Sequence, residues 1–243
     1  MDRGKAEWSS APCNTNIQTA KAAQIGNSRL FPDCDGRKLL RVPFFTQWGL
    51  QDEPGTRSWA PKCCAIACLT MVLEFWGARV TLAQVLDRAL AAGAWDENRH
   101  WLHTGLVAVL QDHGLMACRR NWRLLDGHEK AYLAGRQPGA DTAEELEWVR
   151  DQMLAEGLAT VTGLLAQGVP VITSVYRPFG DHRGSGHQIV LIGNAEGGLR
   201  YHDPAERDGE RMEVSVEMFL ANWKGTGIIT VPRDHPQNRL NRP

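Results

Sequence analysis

Hydrophobic residues are concentrated first in helix-like segments. Residues 63–73 (CCAIACLTMVL) contain one polar residue, Thr70, and the apolar stretch ends at Gly77. This pattern predicts a helix that is buried on nearly all sides. Thr81 is a suitable N-cap for a second predicted helix, residues 82–93, in which leucines and a valine form one apolar stripe.

The pattern changes to β-like runs after Gly168. Four runs follow, VPVITSVY, HQIVLIG, LRYHD and GIITVP, with a predicted helix near residues 216–223 before the last of them. Earlier in the chain, helical patterns cover residues 105–112 and 143–157, and LLRVPFF (residues 39–45) predicts one short strand. Helices that precede strands along the chain predict an α+β fold with an antiparallel sheet.

Length and composition indicate a single domain. A chain of 243 residues that is 43% hydrophobic can bury one large core, which we predict to span residues 38–233. Residues 1–37 are polar and lack a period of 2 or 3.6, so we predict a flexible arm or a propeptide-like extension. Residues 234–243 are predicted to form a polar tail.

Charge and hydropathy narrow the classes of partner. The net charge is -1, and no cluster of lysine and arginine favours nucleic acid or an anionic membrane. Neither an apolar signal core nor a membrane-spanning stretch is visible, so we predict a cytoplasmic protein without a membrane partner. Three of the six cysteines lie within residues 63–68, which is not the spacing of a disulfide framework and favours reduced thiols. We expect no cofactor, and no CxxC or HxxxH pair supports a metal site.

Cys64 is the residue best suited to covalent chemistry. It stands at the start of the predicted buried helix, where unpaired N–H groups and the helix dipole favour a thiolate. The alternative is an ordinary core cysteine. His187 opens the run HQIVLIG, and Asp203 follows sixteen positions later on a strand that would return toward His187. A thiol, an imidazole and a carboxylate are the groups that a thiol hydrolase combines.

Four motifs carry a resemblance to a known family. Residues 42–47 read VPFFTQ, residues 64–77 read CAIACLTMVLEFWG, residues 186–193 read GHQIVLIG and residues 202–205 read HDPA. In this order they resemble the papain-like peptidases of cysteine peptidase family 39, which include the bacteriocin-processing, double-glycine peptidases and their stand-alone relatives. The length of the second motif aligns Cys64 with the nucleophile of that family.

The resemblance implies a papain-like fold, with a helical N-terminal part whose buried nucleophile helix packs on a C-terminal antiparallel sheet. It implies that Cys64 is the nucleophile, His187 the general base and Asp203 the residue that orients the histidine. It also implies that Gln47 donates a hydrogen bond to the oxyanion, with the backbone N–H of Cys64 as a second donor. The implied activity is hydrolysis of a peptide or isopeptide bond in a peptide or protein substrate.

The residues around Cys64 depart from the family pattern. Ala65 and Ile66 stand where the family has glycine and proline, and Lys62 and Cys63 stand where it tends to have small or polar residues. A side chain at position 65 narrows the approach to the oxyanion site. A catalytically weak or inactive peptide-binding module is therefore an alternative, and so is an amidase or acyltransferase on the same fold.

Loop residues beside these motifs are candidates for substrate contact. Trp48 and Trp59 lie on either side of the segment that joins the predicted oxyanion donor to the nucleophile. Residues 177–186 (RPFGDHRGSG) lead into the histidine motif and contain three glycines within seven residues. We predict that this loop is a mobile gate whose Gly186 and His182 contact the substrate.

Overall fold

The computed structural model describes residues 30–32, 38–52, 55–96, 100–123, 140–177, 179 and 185–235. In these residues the helices are α1 (Cys64–Phe75), α2 (Leu82–Ala91), α3 (His103–Asp112), α4 (Ala140–Ala166) and α5 (Val216–Asn222). The strands are β1 (Leu30–Pro32), β2 (Lys38–Leu40), β3 (Leu115–Asn121), β4 (Val171–Arg177), β5 (Ser185–Ala195), β6 (Gly198–His202), β7 (Met212–Ser215) and β8 (Trp223–Pro232). Two 3-10 helices, Gln47–Gln51 and Arg57–Lys62, precede α1.

The strands form one large sheet and one small pair. β1 pairs with β2, and the other six strands form a sheet in the order β3-β8-β4-β5-β6-β7. Every one of these pairings is antiparallel. The predicted α+β class with an antiparallel sheet is therefore confirmed. α1 packs against β5, so the helix that Cys64 begins lies beside the strand that carries His187.

α1 is buried because its sequence is apolar on every side. All side chains from Ala65 to Leu73 are buried. Thr70 satisfies its hydroxyl by donating to the carbonyl of Ile66 at 2.9 Å, so its burial leaves no unpaired polar group. After the helix, Gly77 takes a φ of 97°, which residues with a side chain avoid. The predicted buried helix is confirmed.

The ends of the other helices follow local chemistry. Thr81 caps α2 as predicted, because its hydroxyl accepts the N–H of Gln84 at 3.2 Å and the Gln84 side chain accepts the N–H of Thr81 at 2.9 Å. The predicted end of α4 at Gly157 is wrong, since the helix continues to Ala166. A Cβ at Gly157 would lie 2.6 Å from the Trp122 ring, so this glycine makes room for an indole within the helix.

Two strands of the large sheet are absent from the sequence prediction. β3 and β7 are the two edges of the large sheet, and neither has a clean alternation of buried and exposed residues. An edge strand is covered less completely than a central strand, so its hydrophobic pattern is weaker. The predicted strand over residues 39–45 is shorter than expected, because β2 ends at Leu40.

The domain boundaries stay a prediction. β1 lies within the segment predicted to be an arm and pairs with β2, with Phe31 opposite Leu39. The rest of residues 1–37 lies outside the described residues. At the other end His235 is buried, and its ring lies 5.7 Å from that of Trp76. No helix within the described ranges combines the length and apolar character needed to cross a membrane.

Candidate active site

Cys64 occupies the first position of α1, and its side chain is half-buried. The N-cap residue, Cys63, makes no side-chain capping bond, so the first N–H groups of α1 are free to interact with the Cys64 sulfur. Cys63 and Cys68 are fully buried. Of the cysteines at the start of α1, only Cys64 is therefore accessible from outside.

His187 and Asp203 are brought together by the pairing of β5 with β6. Val190 lies opposite His202, so Asp203 follows the end of β6 beside the start of β5. His187 Nε2 lies 2.7 Å from Asp203 Oδ1, and both side chains are buried. The same carboxylate oxygen accepts the N–H of Ala205 at 2.9 Å, which fixes its orientation.

Arg177, at the end of β4, supports the carboxylate from its other side. Its Nε lies 3.4 Å from Asp203 Oδ2, and its Nη2 pairs with Glu206. Burial raises the pKa of Asp203, but the hydrogen bond and charge of His187, the Ala205 N–H and the Arg177 charge together lower it. Asp203 is therefore ionised at neutral pH and holds the imidazole in a fixed orientation.

Cys64 and His187 perturb each other in opposite directions. Burial raises the pKa of the Cys64 thiol, but the hydrogen bond and charge of His187 and the N–H groups of Gln188 and Ala65 outweigh it, so the pKa is lowered from 9.0. Burial lowers the pKa of His187, but hydrogen bonds and charge from Asp203 and Cys64 raise it to about 9. Both shifts favour an ion pair of a thiolate and an imidazolium.

The two neighbouring cysteines have the opposite electrostatic character. Burial, followed by the charge of Cys64, raises the pKa of Cys63 to about 12. Burial, followed by the charges of Cys64 and Asp203, raises the pKa of Cys68 well above its usual value. Both are thiols at neutral pH, so position on the helix separates one sulfur with a lowered pKa from two with raised pKa values.

Gln47 begins the first 3-10 helix and is buried. Its N–H donates to the carbonyl of Pro204 at 2.8 Å, and the Thr46 hydroxyl donates to the same carbonyl at 3.1 Å. Trp48 Nε1 donates to the carbonyl of Ala205 at 2.8 Å. The segment around Gln47 is thus bound to the two residues that follow Asp203. Its role as the oxyanion donor stays a prediction.

A cleft of about 240 Å³ opens beside Cys64 and His187. It is lined by Cys64, Ala65, His100, Trp101, His103, Arg123, Ser174, Gly186, His187, Gln188, Lys224 and Thr226. The cleft therefore lies between the start of α1, the start of α3 and the strands β4, β5 and β8.

The four predicted substrate contacts have different positions. Gly186 lines the cleft. The Trp48 indole is tied to the Asp203 segment, as described above. Trp59 packs edge-on against Trp95, with ring centroids 5.3 Å apart, and tilts against Trp101 at 6.2 Å. His182 lies outside the described residues, as does most of the predicted gate loop. Substrate contact by these residues stays a prediction.

The cleft also contains residues that the sequence analysis did not select. Trp101 donates its Nε1 hydrogen to the carbonyl of Lys62 at 2.7 Å, two residues before Cys64. His103 is the first residue of α3, Arg123 follows β3 and Lys224 lies in β8. These positions share no sequence motif, and only the assembled sheet brings them together.

Metal binding has no candidate centre in the part of the chain that the structure describes, where no group of three His, Cys, Asp or Glu side chains could hold an ion. His202, next to Asp203, is fully occupied. Its Nδ1 accepts the N–H of Arg211 at 2.9 Å, so its Nε2 carries the proton and donates to the carbonyl of Val42 at 3.0 Å.

Three solved structures illustrate what the chain is similar to. A putative C39-like peptidase from Bacillus anthracis has a TM-score of 0.49 and 15% identity, over 79% of this chain and 96% of that one. The peptidase domain of Streptococcus ComA, a bi-functional ABC transporter, has a TM-score of 0.47 and 15% identity, over 71% and 93%. A double glycine motif protease from an AMS/PCAT transporter, solved with its leader peptide, has a TM-score of 0.45 and 17% identity, over 83% and 97%.

No curated protein matches this chain. A family model described as the Peptidase_C39 like family matches residues 39–230, which include all four motifs of the sequence resemblance. The resemblance to cysteine peptidase family 39 is thereby confirmed, and the chain belongs to the Peptidase_C39 like family.

Proposed function

We propose that this protein is a cysteine peptidase in which Cys64 is the nucleophile, His187 the acid and base, and Asp203 the residue that orients His187. The observation that carries this proposal is the position of His187, which interacts with the Cys64 sulfur and also lies 2.7 Å from Asp203 Oδ1. The pKa of the Cys64 thiol is lowered and the pKa of the His187 imidazole is raised, and these are the directions that a thiolate–imidazolium pair needs. Membership of a peptidase family supports an amide bond as the substrate.

The first half of the reaction forms an acyl-enzyme. The Cys64 thiolate attacks the carbonyl carbon of the scissile amide, and the carbonyl oxygen becomes an oxyanion. The His187 imidazolium then gives its proton to the amide nitrogen as the carbon–nitrogen bond breaks. The amine product leaves, a thioester links the acyl group to Cys64, and His187 is neutral.

The second half releases the acid. Neutral His187 takes a proton from water, whose oxygen attacks the thioester carbon. The second oxyanion collapses as the carbon–sulfur bond breaks, and the Cys64 thiolate returns beside the His187 imidazolium. Asp203 stays ionised throughout and acts by holding the imidazole in place.

The proposed oxyanion donors are the Gln47 side chain and the backbone N–H of Cys64. The segment that carries Gln47 is anchored to Pro204, so the donor and the orienting carboxylate are held by one stretch of chain. Ala65 lines the cleft and is almost fully buried, and its backbone N–H interacts with the Cys64 sulfur. A preorganised donor stabilises charge that develops only in the transition state.

Reaction of Cys64 with iodoacetamide at pH 7 tests the proposal against a non-catalytic peptide-binding module. An activated thiolate is alkylated up to about thirtyfold faster than an ordinary thiol, since the latter is only about 3% ionised at this pH. Cys63→Ala and Cys68→Ala are matched controls and should keep the fast rate. Mass spectrometry should then find hydrolysis products of a peptide mixture with wild type and none with Cys64→Ala. An ordinary rate and no hydrolysis would leave the binding module.

A further inference from the structure

One side of the Cys64 cleft is positively charged. Arg123 and Lys224 lie opposite each other, because the β3–β8 register, Asn121 with Thr226, continues through the Trp122 N–H to the Gly225 carbonyl. Like charges directly opposite each other on neighbouring strands destabilise a sheet. We call the group His103, Arg123 and Lys224 the cationic wall. The repulsion between Arg123 and Lys224 destabilises the fold unless a negatively charged group lies beside them.

Lys224 is held in the cleft instead of extending into solvent. Its Nζ lies 4.4 Å from the centroid of the Tyr176 ring, a cation–π contact. A Cβ at Gly186 would lie 2.8 Å from the same Nζ, so the lysine end occupies the space that a side chain there would take. Burial and then the charge of Arg123 lower the pKa of Lys224. The ammonium group is thus held in advance at the wall of the cleft.

No carboxylate in the described part of the chain compensates this charge. Arg123 and Lys224 form no ion pair there, and the acidic side chains nearest the catalytic groups already have partners. Asp203 pairs with His187 and Arg177, and Glu206 pairs with Arg177. The cleft as the structure describes it therefore offers two cations to a molecule that enters it.

The pKa of His103 responds to the positive charges around the cleft. Its Nε2 lies 3.0 Å from the Ser174 hydroxyl. Burial lowers the pKa of His103 to about 4, with further contributions from the charges of Arg119, Arg123 and Lys224. The ring is neutral at pH 7, so it contributes a hydrogen-bonding group and no third full charge.

The Gln188 side chain indicates that the molecule bound in the cleft is a peptide and not a simple anion. It lines the cleft and is 7% exposed, and its Oε1 is buried without a hydrogen-bond partner. A buried amide oxygen without a partner costs about 1–3 kcal/mol unless a donor arrives. A backbone N–H of a bound substrate is such a donor, whereas an inorganic anion is not.

We infer that the cationic wall is a binding subsite for a carboxylate of the peptide substrate, with Gln188 accepting a substrate N–H beside it. The inference rests on the proposed function and names the substrate class of the same site. The carboxylate has two possible sources, an acidic side chain near the scissile bond or the free carboxyl terminus of a short peptide. Arg123 and Lys224 attract either, and the size of the cleft admits one residue.

Alkylation of Cys64 by paired probes tests the inference without requiring peptide turnover. The first pair is N-iodoacetyl-glutamic acid α-amide and its neutral glutamine counterpart, which represent the side-chain source. The second pair is N-iodoacetyl-β-alanine and its amide, which represent the terminal source. We expect the acid of at least one pair to react about five- to twentyfold faster than its amide at low salt, with the preference shrinking near 0.5 M NaCl.

Variants connect the preference to the cationic wall. In Lys224→Met combined with Arg123→Gln, the ratio of acid to amide rates should fall to about one. Arg79→Gln is the matched control, because Arg79 is exposed beyond the C-terminal end of α1, about 18 Å from Cys64 along a helix of 12 residues. This control should keep the wild-type ratio. Each rate is divided by the iodoacetamide rate of the same variant, which removes changes in the thiol itself.

Equal rates for acid and amide in wild type, or a preference that survives in the double variant, would overturn the inference. Fast reaction with iodoacetamide alongside equal paired rates would leave the proposed function intact. If Cys64 proves unreactive and the proposed function fails, N-acetyl-glutamic acid α-amide is titrated into the protein instead. Bound carboxylate should raise the pKa of His103, read from its ring signals by NMR, and no rise would again overturn the inference.

Discussion

Two histidines in the same cleft have opposite protonation states. Burial alone would keep both neutral. His187 faces the Asp203 carboxylate and the Cys64 sulfur, and its pKa rises to about 9. His103 faces Ser174 and three cations, and its pKa falls to about 4. The neighbours on each side therefore decide which imidazole can act as an acid, and burial by itself predicts neither role.

The largest expected effect comes from replacing Cys64 or His187, the proposed nucleophile and base. Cys64→Ala should abolish peptide hydrolysis, and His187→Ala should lower kcat/KM by a similar factor of about 10³ or more, because the two groups act as one unit. The double variant should be hardly worse than either single variant. Cys63→Ala and Cys68→Ala serve as controls and should keep most of the activity. Full hydrolysis by Cys64→Ala would contradict the assignment of the nucleophile.

A smaller effect is expected from Gln47, the proposed oxyanion donor, which is part of neither histidine's surroundings. Gln47→Ala should lower kcat by about 10²–10³ with little change in KM, because the donor is needed once negative charge has developed on the carbonyl oxygen. Gln188→Ala is the matched comparison, since it removes another buried amide but should act mainly on KM. A loss confined to KM in Gln47→Ala would make Gln47 a substrate-binding residue.

The smallest of these effects concerns Asp203 and is seen best in the pH profile. In wild type, kcat/KM should rise with pH through the lowered pKa of Cys64 and fall near pH 9, where the His187 imidazolium loses its proton. Asp203→Ala removes an interaction that raises the His187 pKa, so the alkaline limb should move to lower pH. At its optimum this variant should lose about tenfold to a hundredfold in kcat/KM, less than His187→Ala. An unmoved alkaline limb would show that Asp203 does not set the imidazole pKa.

The sequence predicted the elements whose signal is local. The apolar run from Ala65 to Leu73 and the cap at Thr81 each depend on a few adjacent residues. The edge strands β3 and β7 were missed because exposure weakens their hydrophobic alternation. The end of α4 was missed because Gly157 has a tertiary reason, the indole of Trp122, which a local pattern does not contain.

The candidate site likewise contains residues that the sequence predicts and residues that only the folded structure reveals. Cys64, His187 and Asp203 lie in motifs that can be read from the chain, and the pairing of β5 with β6 brings the last two within 2.7 Å. The cationic wall has no such signal. Arg123 follows β3 and Lys224 lies in β8, about a hundred residues later in the chain. Their proximity depends on the pairing of β3, a missed strand, with β8, the last one.

Thr46 and Gln47 both donate hydrogen bonds to the carbonyl of Pro204, which lies 158 and 157 positions later in the chain. Contacts of such high sequence separation form late, because the entropy of closing the intervening chain is lost before they contribute. During synthesis, the ribosome must therefore release Pro204 before the segment around Gln47 can dock. Cys64 and His187 are likewise 123 positions apart. A chain that is still incomplete, or one truncated before Asp203, would expose Cys64 before its partners are in place, so under the proposed function activity would arise only after the sheet has assembled.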